Sequence, residues 1–114
     1  MQYMLMIIED ESAYTAPGAM DAIIAKHMEF GMKNGAAIIG GNGLHPALTA
    51  TTLRTTNGKH SIHDGPFAES REQLGGYYVV DAADLDAAIA IAKQVPLAGD
   101  GAIEIRPVLP GPTA

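Results

Sequence analysis

Apolar residues occupy almost every position from Met1 to Ile8, and polar residues follow at once in Glu9-Asp10-Glu11-Ser12. The alternation predicts a first strand from Gln2 to Ile8, with Tyr3, Leu5 and Ile7 on one face and Met4, Met6 and Ile8 on the other. Both faces are apolar, and the acidic run after it reads as a solvated loop. A helix is expected to start near Pro17, which suits a first-turn position, and to stop near Asn34-Gly35. Its apolar stripe is Met20, Ile23, Ile24, His27 and Gly31. Ala36 to Gly41 reads as a short strand, broken by Asn42-Gly43-Leu44-His45-Pro46. Ala47 to Thr56 and Lys59 to His63 then flank Asn57-Gly58, a strong two-residue hairpin signal. That turn pairs Thr56 with Lys59, Arg54 with Ser61 and Thr52 with His63, and it puts Leu53 and Ile62 on the opposite face. A helical turn over Ser70 to Gln73, a strand over Gly76 to Asp81, a helix over Asp84 to Gln94 and a last strand over Ala102 to Pro107 complete the plan.

The order is β-α-β-(hairpin)-β-α-β. It predicts an α+β domain of the ferredoxin-like split β-α-β kind with an inserted β-hairpin, over residues 1–107, and an extended C-terminal tail over 108–114. Two helices cover one face of a four-stranded sheet. The other face is apolar in the first and third core strands, and the chain has no spare element for it. A second copy of the chain is the expected cover, giving a homodimer with sheets packed face to face.

Composition narrows the functional classes. The 114 residues carry a formal net charge of −6, which disfavours nucleic acid and anionic membrane surfaces as partners. Cysteine is absent, which excludes disulfides, thiolate nucleophiles and iron–sulfur ligation and fits a cytoplasmic location. No apolar run is long enough to span a bilayer. His60 and His63 would face opposite sides of a strand, so no metal site is expected, and no segment suggests a cofactor.

The chemistry-bearing residues gather around Asp64-Gly65-Pro66-Phe67-Ala68-Glu69. Asp64 at a strand end is a candidate general acid or base, or else a turn cap whose carboxylate accepts turn amides. His27, within an apolar helix face, needs a hydrogen-bond partner and is a candidate for proton transfer. Arg54 has a two-pronged guanidinium suited to a carboxylate or enolate oxygen, or to an ion pair with a neighbouring carboxylate. His63 shares its side of the hairpin. Tyr77 and Tyr78 should point to opposite faces of their strand.

These blocks also carry a likeness. The Asp64–Glu69 run, Thr49-Ala50-Thr51-Thr52-Leu53-Arg54 before it and Glu72-Gln73-Leu74-Gly75-Gly76-Tyr77-Tyr78 after it resemble the DGPF branch of the YCII-related domain family. Asp84-Leu85-Asp86-Ala87-Ala88 and Glu104-Ile105-Arg106-Pro107 extend the resemblance over nearly the whole chain. The resemblance implies a dimeric α+β barrel, a catalytic histidine–aspartate pair, a relative that acts as a dehydrochlorinase on a hydroxyquinone-type aromatic, and a regulatory link to sigma factors. Asp64 matches the family aspartate. Ile24 stands where the family histidine is expected, and His27 follows one turn later on the same face.

Two functions remain open on the sequence. One is a cofactor-free lyase or isomerase that binds a small metabolite in a cleft near the DGPF turn, with Asp64 and His27 catalytic and Arg54, His63, Phe67 and Tyr78 holding the substrate. The other is a non-catalytic ligand-sensing or protein-interaction module linked to transcriptional regulation.

Overall fold

In a computed structural model, which describes residues 1–111, the first strand runs two residues further than its apolar pattern. This strand, β1 (Gln2–Asp10), buries Tyr3, Leu5, Ile7 and Glu9 on one face and leaves Met4, Met6, Ile8 and Asp10 half-buried on the other. Glu9 is therefore a strand residue and not part of a solvated loop. Only Glu11–Tyr14 turn away from the sheet, in a short 3-10 turn capped by the Asp10 carboxylate, which accepts from the Ser12 amide.

Helix α1 (Ala19–Lys33) begins after Gly18 and ends on Asn34, whose amide and side-chain nitrogen both donate to the Phe30 carbonyl. Its buried anchors are Ile23 and Phe30, and His27 sits half-buried between them. Met20 and Ile24, expected on the buried stripe, are instead about half exposed. Ile23, His27 and Phe30 point squarely at the sheet, so residues one position away look out along the helix flank. Strand β2 (Ile38–Gly43) starts and ends two residues later than its apolar run.

The Asn57-Gly58 hairpin forms as expected, with φ of 52° and 75° at the two turn residues. It joins β3 (Thr51–Thr56) to β4 (Lys59–Asp64), and the register pairs Thr56 with Lys59, Arg54 with Ser61, Leu53 with Ile62 and Thr52 with His63. The segment Ala47–Thr49, expected as strand, is a 3-10 turn. Strand β5 (Glu72–Asp81) begins before Gly76 and absorbs the helical turn expected at Ser70 to Gln73, because Glu72, Gln73 and Leu74 pair with Asp10, Glu9 and Ile8. Helix α2 (Leu85–Ala92) is capped by Asp84, which accepts from the Ala87 amide at 2.9 Å. The last strand is β6 (Gly101–Pro107), and Val108 adds one more bond to Gln2. Of the tail expected over 108–114, residues 112–114 lie outside the described residues.

The four long strands form one antiparallel sheet in the order β2-β5-β1-β6, the ferredoxin-like arrangement. Both helices lie on one face, where Tyr3, Leu5, Ile7, Val80, Phe30, Ala88 and Ala92 make the core. The opposite face presents Met4, Met6, Ile8, Tyr77 and Val79, half-buried by their strand neighbours. The hairpin forms a sheet of its own and stands away from this body. Leu53 and Ile62 on it are 60% and 74% exposed. The radius of gyration is 16.0 Å, whereas a compact chain of this length has about 13 Å. That excess is the projecting hairpin.

Candidate functional site

A cavity of about 470 Å³ opens between α1 and the sheet, at the end where β1 and β2 finish and β5 begins. Its walls are mostly apolar: Ile7, Met20, Ile23, Ile24, Met28 and Leu44. Polar groups enter at a few points. Glu9, Glu11 and Tyr14 come from β1 and the turn after it, His27 from α1 and Tyr78 from β5. A volume of this size, largely apolar with few converging polar groups, is typical of small-molecule sites.

Glu9 is the most unusual of these residues. It is 5% exposed, on the same face of β1 as Leu5 and Ile7. Its Oε2 accepts a short hydrogen bond from the Tyr14 hydroxyl. Among the described residues no cation pairs with it. The strand opposite makes room for it through a bulge: Ile7 pairs with Gly76 and Ile8 with Leu74, which leaves Gly75 as the extra residue. A Cβ at position 75 would lie 3.2 Å from Glu9 Oε1, so a glycine there keeps that oxygen uncrowded. Burial first, and then the carboxylate, push the Tyr14 hydroxyl well above its ordinary range. It remains a donor at any physiological pH.

The second polar pair is His27 and Tyr78, with His27 Nδ1 2.8 Å from the Tyr78 hydroxyl oxygen. Tyr78 points to the helix side, where its ring also packs on Phe30 at 4.9 Å between centroids. Tyr77 points to the other face, where its hydroxyl accepts from Asn42 Nδ2 at 3.1 Å. Burial pushes the Tyr78 hydroxyl up. Burial also lowers the His27 imidazole below its ordinary value, and the nearby Glu9 charge opposes this only in part. Both groups are therefore neutral near pH 7. The phenol can donate to Nδ1, or Nδ1–H to the phenol oxygen, and either way the pair can pass a proton.

The lowered His27 value has a measurable consequence. A histidine that resists protonation in the folded state contributes nothing to pH dependence above its unfolded value of about 6.5. As pH falls below that value the unfolded chain takes up the proton first, so stability should decline with falling pH. NMR titration of the His27 ring should give a midpoint below about 6.5, and His27→Gln should flatten the acid side of the stability profile. An imidazole midpoint above 6.5 would contradict the burial seen here.

The residues expected at the DGPF turn lie elsewhere. Asp64, Arg54, His63 and Phe67 are all exposed on or beside the hairpin, and none lines the cavity. The Asp64 side chain makes no hydrogen bond or ion pair among the described residues, so it does not cap the turn. The turn is held instead by backbone and threonine. The Gly65 amide donates to the Ala50 carbonyl and Thr52 Oγ1 to the Gly65 carbonyl, both at 2.8 Å. Gly65 itself has φ 131°, a value that requires glycine. Arg54 stacks over the Phe67 ring at 5.1 Å and forms no ion pair with Asp64, Glu69 or Glu72. His60 Nδ1 lies 2.8 Å from Thr55 Oγ1. A shallow open groove beside Pro66 and Glu69 also takes in Asp10, Arg71 and Gln73. Of the expected site residues, His27 and Tyr78 thus meet in the cavity, and the other four lie on or beside the hairpin, where Arg54 stacks on Phe67.

The pattern of the YCII-related domain matches residues 1–111. The chain belongs to this family. A relative in Rhizobium meliloti (strain 1021), an uncharacterised protein, is 34% identical over 95% of this chain and 92% of its own length. Among solved structures, the YCII-related domain here resembles 5-chloro-2-hydroxyhydroquinone dehydrochlorinase from Burkholderia phenoliruptrix AC1100, in complex with 2,5-dihydroxybenzoquinone. The two share 16% identity over 97% and 96% of their chains, with a TM-score of 0.52. At that identity the likeness concerns the fold. No helix among the described residues is long and apolar enough to cross a membrane.

Sequence reasoning passed over Glu9 and Tyr14. The signal was present: Glu9 continues the odd-numbered series Tyr3, Leu5, Ile7, and Gly75-Gly76 marks a place where β5 leaves room. The acidic run after Ile8 hid it, because all four residues from Glu9 to Ser12 are polar in the way a loop is.

Proposed function

We propose that this YCII-related domain binds a small metabolite in the cavity between α1 and the sheet and transfers protons on it without a cofactor, as a lyase or isomerase does. The observation that supports this reading is that a buried carboxylate, Glu9, and a neutral His27–Tyr78 pair line one apolar cavity. Glu9 Oε1 is the base. It takes a proton from a ligand O–H or N–H conjugated to a carbon–carbon double bond, and the electron pair left behind forms a C=O or C=N bond while the carbon–carbon pair shifts to the far carbon. The His27–Tyr78 pair gives a proton to that far carbon, and Glu9 and the pair exchange protons with water once the product leaves. Tyr14 keeps the carboxylate in position throughout. The dehydrochlorinase neighbour, a small-molecule enzyme of this fold, is compatible with such chemistry.

The working unit is a homodimer, joined through the open sheet face of Met4, Met6, Ile8, Tyr77 and Val79. The hairpin bearing Arg54, His63, Asp64 and Phe67 adds to that contact or reaches a ligand through it. A sensing module remains the second reading. It is favoured by the exposure of Leu53, Ile62 and Phe67 on a projecting arm, which suits a protein partner in transcriptional regulation.

A thermal-shift screen tests the proposal. A metabolite at about 100 times its Kd raises stability by about 2.7 kcal/mol. Hits that lose their effect in Glu9→Gln and Tyr78→Phe support the cavity. Hits that lose it only in Asp64→Asn return the site to the DGPF turn. Turnover of a hit separates the enzyme from the sensor.

A further inference from the structure

We propose that the ligand of this cavity carries no anionic group and presents an O–H or N–H donor to Glu9 Oε1. This rests on the reading above, that the cavity is the ligand site, and it adds the chemical class of what enters.

Three observations converge on it. First, the lining holds two carboxylates, Glu9 and Glu11, and no lysine or arginine. Second, the two carboxylates differ in what they have left to offer. Glu11 Oε1 is already engaged by the Ala47 amide at 2.6 Å. Glu9 Oε2 is engaged by Tyr14, while Oε1 has no protein donor among the described residues. No buried side-chain oxygen is left both sealed and unpartnered among the described residues, so Oε1 keeps access to the cavity. Third, Oε1 faces Gly75, another lining residue, where a side chain would crowd it.

A carboxylate oxygen in an apolar pocket has a strong demand for a donor, because a charged group left without one loses its hydration uncompensated. An anion would meet two carboxylates and a neutral imidazole, with nothing to balance its charge. Arg54, the guanidinium that would suit an anion, is outside the cavity of its own chain, over Phe67. The site therefore selects by charge as well as by shape.

Four single-ring probes of similar size separate the possibilities: benzyl alcohol, benzylamine, benzyl methyl ether and benzoate, titrated into the full chain and followed by amide shifts of cavity residues. The alcohol and the amine should bind roughly ten-fold tighter than the ether, the size of one hydrogen bond to a charged acceptor. Benzoate should bind weakest of all. In Glu9→Gln the amide oxygen takes the Tyr14 hydroxyl and the NH₂ group turns to the ligand, so the advantage of the alcohol over the ether should vanish. Gly75→Ala, which leaves the carboxylate in place but crowds Oε1, should weaken the alcohol and the amine more than the ether. Benzoate binding as tightly as the alcohol in the cavity would overturn this proposal and leave the cavity as a ligand site. Failure of all four probes to shift any cavity residue would instead remove the cavity reading itself.

Discussion

Leu5→Ala should lower stability by about 3 kcal/mol, within the 2–5 kcal/mol seen for buried leucines. Leu5 has no exposed surface and sits on the central strand β1, hydrogen-bonded to β5 on one side and β6 on the other. Its side chain belongs to the cluster with Phe30, Val80 and Ala88, so both layers lose contacts when it is shortened. The helices are held by too few large anchors to collapse into the gap: α2 contributes only Ala88 and Ala92 to the buried core. A loss of this size should reduce the melting temperature by roughly 10–20 °C in a chain of this length. Thermal melts at a fixed protein concentration would measure it. Glu9→Gln, four residues along the same face, provides the contrast. It keeps an oxygen for Tyr14 and a similar volume, so its melting temperature should stay within a few degrees of the parent. If Glu9→Gln melts as early as Leu5→Ala, Glu9 is a structural residue and its role as a base fails.

That contrast also shows what the sequence could convey. Alternation along β1, the Asn57-Gly58 turn with its pairing and the order of elements were all legible, because each depends on neighbours within a few residues. The hairpin register follows from the turn alone, and β1 shows its two faces in eight letters. Strand β5 was legible only from Gly76 onward, since it opens on the polar Glu72 and Gln73, which with Leu74 become strand by pairing with the end of β1. The candidate site was half legible. His27 and Tyr78 could be named singly, yet nothing within either segment says that they are 2.8 Å apart. The DGPF turn drew attention because its residues are unusual in a row. In the fold that row is explained by Gly65, whose backbone angle requires glycine, and by the threonine and amide bonds that hold it. Function-bearing residues came instead from three separated segments, Glu9 to Tyr14, His27 and Tyr78, that meet at one end of the sheet.

Val79→Lys should weaken the proposed dimer by about a thousand-fold while leaving the monomer folded. Val79 lies on the open face of β5, paired with Met4 on β1 and Gly40 on β2. In a single chain that face meets water, so a lysine there is solvated at little cost, and strand preference changes by under about 1 kcal/mol. In a face-to-face dimer the same position is covered. Two-fold symmetry then buries two ammonium groups at once, since an isologous interface repeats each substitution. At about 2 kcal/mol for each unpaired polar group, the lower end of such penalties, the total is about 4 kcal/mol, or three powers of ten in Kd. Four strands about 4.8 Å apart and up to 30 Å long offer roughly 600 Å² of flat area, short of the roughly 800 Å² per partner of a standard interface. The exposed Leu53 and Ile62 of the hairpin are the natural source of the remainder. Sedimentation velocity over a concentration series decides the matter. The parent chain should sediment as a dimer at micromolar concentration and Val79→Lys as a folded monomer. A parent chain that stays monomeric would leave Met4, Met6 and Ile8 as a face for another partner, which is what the sensing reading requires.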